Sequence, residues 1–206
     1  MIDAREQEEL RDRDHAWIRA FQAGDRDAFD KLYMAYLKPL SFFIRRLRPG
    51  DPQEIEDHCQ EIMLAIYQAL PRFVVRSSFR AFLYTVATNH LRNLKRRKNP
   101  QSLDAPLYGE STGNTLKDLL PSSHPGHADE IYQSNLMAEM ERAIAALPES
   151  AREVFLLKEF QGLTFAEIAE ATRQTARNAQ FLKNKANLTL RDHLAKAGFN
   201  LAENPA

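Results

Sequence analysis

Apolar residues recur three and four positions apart in block after block of this chain, the period of a helix with one buried face. Trp17, Ile18 and Phe21 open the pattern and predict a first helix packed weakly on the body. Gly24 followed by Asp25 reads as a stop and a new N-cap. Phe29, Leu32, Tyr33, Tyr36 and Leu37, then Leu40, Phe43, Ile44 and Leu47, line the next helix. Pro39 lies inside that run and is expected to kink or break it. Arg48-Pro49-Gly50 is a turn, and Asp51-Pro52-Gln53-Glu54 supplies an N-cap, a proline at the first helical position and a carboxylate at the third. Ile55, Cys59, Ile62, Met63, Ile66, Tyr67 and Leu70 then form a buried stripe. The following helix is capped by Ser78 and buries Phe79, Phe82, Leu83, Val86, His90 and Leu94, with Arg80, Tyr84, Thr88, Arg92 and Lys95 on a stripe expected to face outwards.

The pattern lapses over residues 99–134, where prolines, glycines and small polar residues take over and five acids oppose one lysine. That composition predicts a mobile acidic linker, with a short turn of helix near Leu116–Leu120. From Asn135 the helical period returns through Leu136, Met140, Ala143, Ile144 and Leu147, and Pro148 ends that helix. Ser150–Glu153 and Thr164–Glu167 both read as capping boxes, with a Gln161-Gly162 turn between them. A short helix over Ile168 and Ala169, a turn, and a longer basic helix from about Ala176 to Leu194 outline a helix-turn-helix. The expected fold is all-α: two small helical domains, residues 25–98 and 135–198, joined by the linker 99–134, with a helical extension at 1–24 and a tail at 199–206.

Charge changes this picture. The chain has zero net charge, yet residues 71–100 hold eight Lys or Arg and no Asp or Glu. Phe73, Phe79, Phe82 and Tyr84 lie in the same window. Cations that neutralise phosphates, interleaved with rings that accept an unstacked base, suit a nucleic acid. A merely solvated helix face mixes both signs, because like charges one turn apart repel. Just upstream, residues 51–70 carry five acids and no Lys or Arg. Neighbouring surfaces of opposite sign imply two partners, or one that is itself a nucleoprotein.

Other chemistries find little support. Glu54, Asp57 and Glu61 form a regular stripe on one helix, without the apolar pocket that splits the pKa values of an acid–base pair. No Gly-rich phosphate loop, nucleophile elbow or metal-ligand cluster is present, so neither catalysis nor a cofactor is expected. His124 and His127 read as linker residues. The lone Cys59 excludes an internal disulfide and fits a reducing cytosol. No apolar run is long enough to span a bilayer, so no membrane insertion is expected, and the charged start MIDAREQEELRDRD lacks the apolar core of a signal peptide.

Four segments taken in order, EIEDHCQEIMLAIYQAL, RF, SSFRAFLYTVATNHLRNLKRR and LPESAREVFLLKEFQGLTFAEIAE, resemble the two domains of bacterial sigma-70-type initiation factors, most closely the small extracytoplasmic-function group. The resemblance covers about residues 25–98 and 136–195. It implies a factor that binds core RNA polymerase and directs it to promoter DNA. Glu54, Asp57, Gln60 and Glu61 correspond to the surface that docks on the beta-prime clamp helices. Arg72, Phe73, Arg76, Ser78, Phe79, Arg80, Tyr84, Asn89, Arg92, Lys95 and Arg96 correspond to the element that reads and melts the −10 region, where a base is flipped out. Thr164, Thr175, Arg177, Asn178, Gln180, Lys183 and Lys185 correspond to the −35 reader, and the linker to a segment threading near the active-centre cleft. The beta flap and an anti-sigma factor are further partners the resemblance implies.

The chain also departs from that pattern. Phe82 stands where tryptophan is common, and Thr88 where arginine is. Arg173 occupies a turn position where glycine is usual, and arginine tolerates a left-handed backbone poorly. Gln174 follows it where an apolar residue is common. Leu182 replaces a DNA-contacting arginine, Ala179 a larger core residue and Phe181 a small polar one. These changes predict weakened or altered −35 reading, or its replacement by a protein contact. Two rival readings stay open at this point: a polymerase-independent helix-turn-helix regulator, which has no need of the acidic helix, and an RNA-binding or structural helical protein, which leaves the second domain unexplained.

Overall fold

The computed structural model describes residues 4–75, 78–98 and 127–199. Eight α-helices and one short 3-10 turn make up the secondary structure of these residues. The first four helices are α1 (Ala4–Gln22), α2 (Asp27–Leu47), α3 (Pro52–Ala69) and α4 (Phe79–Lys98), with the 3-10 turn Leu70–Arg72 before α4. The second four are α5 (His127–Ala146), α6 (Glu149–Glu159), α7 (Phe165–Thr172) and α8 (Ala176–Lys196). The linker expected from residue 99 falls outside the described residues as far as 126, and helix is present from His127, eight residues before the apolar period resumes.

Local signals set most boundaries. Gly24 takes φ +105° between α1 and α2, and Asp25 Oδ1 accepts the amide of Asp27 at 3.0 Å, but the N-cap position of α2 is Arg26, not Asp25, and has no side-chain cap bond. Asp51 caps α3 by accepting from Gln53 N at 2.9 Å, with Pro52 at the first helical position. Ser78 Oγ accepts from Ala81 N at 3.2 Å and opens α4. Thr164 and Glu167 close a reciprocal capping box at α7.

At three places the structure departs from the local signals. Pro39 does not break α2, which runs through it, because Leu32, Tyr36, Leu40, Phe43 and Ile44 on both sides are buried. Each such side chain stabilises by roughly 1.5–3 kcal/mol, against about 3 kcal/mol lost to a mid-helix proline. α1 is not weakly packed: Ile18 is fully buried, and Gln22 Nε2 donates to Leu70 O at 3.0 Å and Phe73 O at 2.9 Å, pinning the turn that leads into α4. The Ser150–Glu153 box does not form; α6 starts behind Pro148 with no side-chain cap.

Within the first half, α2, α3 and α4 share a core of Leu40, Phe43, Ile62, Met63, Ile66, Leu70 and Leu83. In the second, α5, α6 and α7 pack on α8 around Ile144, Leu147, Val154, Leu157, Ile168 and Leu190. The two cores are continuous, because α4 packs on α7 and α2 on α6. Phe42 of α2 meets Phe160 at 5.0 Å between ring centres, and Arg152 of α6 donates to Arg46 O of α2 at 3.2 Å.

Candidate nucleic-acid interface

The acidic face of α3 is open. Glu54, Asp57, Gln60 and Glu61 are all exposed, while Ile55, Cys59, Ile62, Met63 and Ile66 point inward. Their polar contacts are local: Gln53 Nε2 donates to Asp57 at 3.3 Å and Gln60 Nε2 to Glu56 at 3.4 Å. Across the groove to α4, His90 lies 3.7 Å from Glu61 and its ring nitrogen 3.3 Å from that of His58. Among the described residues Glu54, Asp57 and Glu61 make no ion pair with lysine or arginine, and such a row of carboxylates favours a cationic visitor.

The entry to α4 presents Arg72 on the surface, with Phe73 half-buried and Val74 63% exposed. Arg76 lies outside the described residues. Phe73 and Phe82 pack at 5.2 Å with their planes 45° apart, and both keep part of their rings at the surface. Phe79 and Tyr84 do not. Phe79 is enclosed by Tyr36 and Phe73, and Tyr84 stacks edge-on against Phe43 at 5.1 Å, each 1% exposed or less. Both rings are core side chains, and no face of either is open to a base. Phe82, assigned to the buried face from the sequence, is the better placed ring.

The stripe expected to face outwards faces the second half instead. Arg80 Nη1 donates to Gln161 O at 3.0 Å, and the Tyr84 hydroxyl to Gln161 Oε1 at 2.5 Å. Thr88 Oγ1 donates to Ala171 O at 2.8 Å, and Arg92 Nη1 reaches the same carbonyl at 3.4 Å. Arg92 Nη2 also holds both carboxylate oxygens of Glu153 at 2.9 and 3.0 Å, and Lys95 Nζ meets Glu149 at 2.6 Å. Asn89 is half-buried and Arg96 exposed. Burial pushes the Glu153 carboxyl up to about 7, against the pull of Arg92 in the other direction. The sequence alone does not mark Gln161, Glu149 and Glu153 as partners of α4. The available signal was geometric: Glu149 and Glu153 are four apart and Arg92 and Lys95 three apart, so each pair shares a helix face.

In the helix-turn-helix, Thr175 caps α8 by accepting from Asn178 N at 3.1 Å. Arg177, Asn178, Gln180 and Lys185 are exposed along α8, as is Thr164 at the start of α7. Lys183 is not a free cation: it pairs with Glu159 at 2.9 Å. Arg173 does adopt the left-handed conformation, at φ 55° and ψ 43°. The conformation is held by Gln174 N donating to Ala169 O at 3.0 Å. Ala179 is fully buried, Leu182 packs on the core, and Phe181 and Leu188 stand 62% and 67% exposed. Among the described residues no group of three or more His, Cys, Asp or Glu is placed to hold a metal, and no helix is long and apolar enough to cross a membrane.

Residues 32–101 match the family model for sigma-70 region 2, and residues 137–186 that for sigma-70 region 4. The RNA polymerase sigma-H factor of Pseudomonas aeruginosa is 30% identical over 77% of this chain and 81% of its own length. A probable RNA polymerase sigma factor of Haemophilus influenzae is 27% identical over 86% and 95%. The sigma-E factor of Escherichia coli K12, of the extracytoplasmic-function group, is 29% identical over 76% and 81%. Among solved structures, that of CnrH in complex with the cytosolic domain of CnrY shares the fold, with TM-score 0.61 at 18% identity over 89% of this chain and 98% of that one. The chain belongs to the sigma-70 family of RNA polymerase sigma factors, in its extracytoplasmic-function group.

Proposed function

We propose that this chain directs core RNA polymerase to promoters by dividing the work between adjacent helices. The exposed carboxylate row of α3, set beside a cationic α4, is the observation that carries this reading. Glu54, Asp57, Gln60 and Glu61 dock on the beta-prime clamp helices, where a complementary cationic surface would dominate association. Arg72, Arg76, Arg80, Asn89, Arg92, Lys95 and Arg96 hold the backbone of the strand near −10. Phe73 and Phe82 at the open edge take the flipped base. Thr164, Thr175, Arg177, Asn178, Gln180 and Lys185 face the −35 duplex, and the C-terminal half rests on the beta flap. Promoter opening is driven by binding free energy, without catalysis by this chain. A partner that covers α3 or α4, such as an anti-sigma factor, would silence it.

In vitro transcription over a promoter library, with core polymerase and with or without this chain, tests the reading. Transcripts from a defined subset of promoters only in its presence are expected. Asp57→Lys with Glu61→Lys should abolish polymerase binding by at least tenfold in affinity and leave binding to DNA intact. An unchanged affinity for core polymerase would instead favour the polymerase-independent regulator.

A further inference from the structure

α1 lies outside the residues 32–101 that match sigma-70 region 2, yet it reaches the open edge where Phe73 stands. Gln22, its last residue, is exposed and turns its carboxamide back onto the chain. Nε2 has two protons to give, and it donates to Leu70 O at 3.0 Å and Phe73 O at 2.9 Å, the carbonyls at the two ends of the 3-10 turn. The base of this side chain is firm. Ile18, one helical turn earlier on the same face, is fully buried. Phe21 packs edge-on against Tyr67 of α3 at 5.2 Å, and Phe29 of α2 meets the same ring at 4.9 Å. The end of α1 is thus clamped to α2 and α3, and Gln22 carries that rigidity to the backbone of Phe73. Phe73 itself is extended, at φ −67° and ψ 132°, and Val74 after it is 63% exposed.

We infer that Gln22 is a positioning residue for base capture: by holding the Phe73 carbonyl it fixes the ring that, with Phe82, receives the flipped base. That role rests on Phe73 and Phe82 being the rings that take the base. The two lie 5.2 Å apart at 45°. Recognition at such a site needs each ring held to within about 0.5 Å and 10–20°, and a ring is placed no better than its backbone. The surface setting separates this role from a contribution to the fold. Where the amide is removed, water replaces it as donor to both carbonyls, so the folded state loses little. Water does not supply a fixed distance to α1, and the turn then carries Phe73 over a wider range of angles. The loss falls on selection among bases. Polymerase docking is spared, because Glu54, Asp57, Gln60 and Glu61 face outwards in the first half of α3, away from the turn.

The test uses holoenzyme assembled from core polymerase and the full chain, unaltered or carrying Gln22→Ala or Gln22→Met; the second keeps the length of the side chain and removes its donors. Promoters carry each of the four bases in turn at every −10 position, with 2-aminopurine alongside to report opening. The readout is the ratio of opening rates between the best and the worst base at each position. Phe73→Ala marks the captured position as the one where this ratio collapses. Both Gln22 variants are expected to bind core polymerase as the unaltered chain does. At the captured position they should lower the ratio by about tenfold, the scale of loss that slight misplacement brings, and leave the other positions alone. Adding Gln22→Ala to Phe73→Ala should then change nothing further, as expected of two residues that act through one ring. Equal slowing at all four bases, full additivity with Phe73→Ala, or an unchanged ratio where Phe73→Ala lowers it would overturn the role of Gln22 and leave base capture standing. Ratios that survive Phe73→Ala and Phe82→Ala together would instead sink base capture by these rings, and the role of Gln22 with it.

Discussion

Glu153 shows how one side chain can be read correctly by type and wrongly by role. Its position three residues after Ser150 is that of a capping carboxylate, yet it is nearly buried against Arg92, sixty-one positions away in sequence. Local spacing cannot weigh a partner supplied by tertiary packing. Its chemistry follows from burial, which raises the carboxyl to about 7. The groups facing it are Arg92 of α4, which opposes the shift, and Glu149 of α6, which adds to it. A raised carboxyl contributes stability that is complete below its ordinary value and is lost as the pH rises through about 7. The packing of α6 against α4 should therefore be weaker at pH 8 than at pH 6. Scattering or a fluorescence pair across the seam would measure this, and Glu153→Gln should flatten the dependence. Arg173 gives a second test at this scale. A left-handed backbone costs an L-residue about 1–2 kcal/mol, and glycine adopts it freely at some cost in unfolded-state entropy. Arg173→Gly should raise stability by about 0.5–1 kcal/mol in urea unfolding, and a loss would show that the arginine side chain contributes contacts of its own.

Helices were legible where their ends carry chemistry. The Asp51–Pro52 start, the Ser78 cap and the Thr164–Glu167 box are short-range devices, and each forms as the residues imply. The buried stripe of α3 followed equally well, since a one-sided amphipathic helix encodes its own orientation. α4 did not, because it is buried on two sides. Its second side, Tyr84, Thr88 and Arg92, is polar enough to look like a solvent face, and its partners are a backbone carbonyl, an amide and a carboxylate. The first residues of α5 were missed because His127–Ser134 lacks an apolar period. In α2 the proline signal lost to burial, and that conflict is measurable. Pro39→Ala restores a helical amide and should stabilise the fold by about 1–3 kcal/mol. A destabilised variant would mean that packing of Leu40 and Phe43 has come to depend on the proline.

At the scale of the whole molecule, the seam decides whether two domains behave as one. Buried residues of both halves form one contiguous cluster, from Ile18 in α1 to Leu190 in α8. Links across the seam include Arg46 with Glu141 at 3.0 Å, Arg92 with Glu153, Lys95 with Glu149, and the hydrogen bonds to Gln161 and Ala171. Burial holds the Arg46 guanidinium down at about 10, so a broken Arg46–Glu141 pair would strand a poorly solvated cation rather than an indifferent surface group. Individually these links are modest, but all are lost together when the halves part. Coupling of several kcal/mol is enough to merge two unfolding transitions into one. Calorimetry of the free chain should therefore give a single transition. The Glu149→Lys/Glu153→Lys variant should split it into two, one for each half. A single, unshifted transition in the variant would mean that the apolar anchor at Phe42 and Phe160 suffices to couple the halves. Two transitions already in the unaltered chain would mean that the contacts across the seam are too weak to couple the halves.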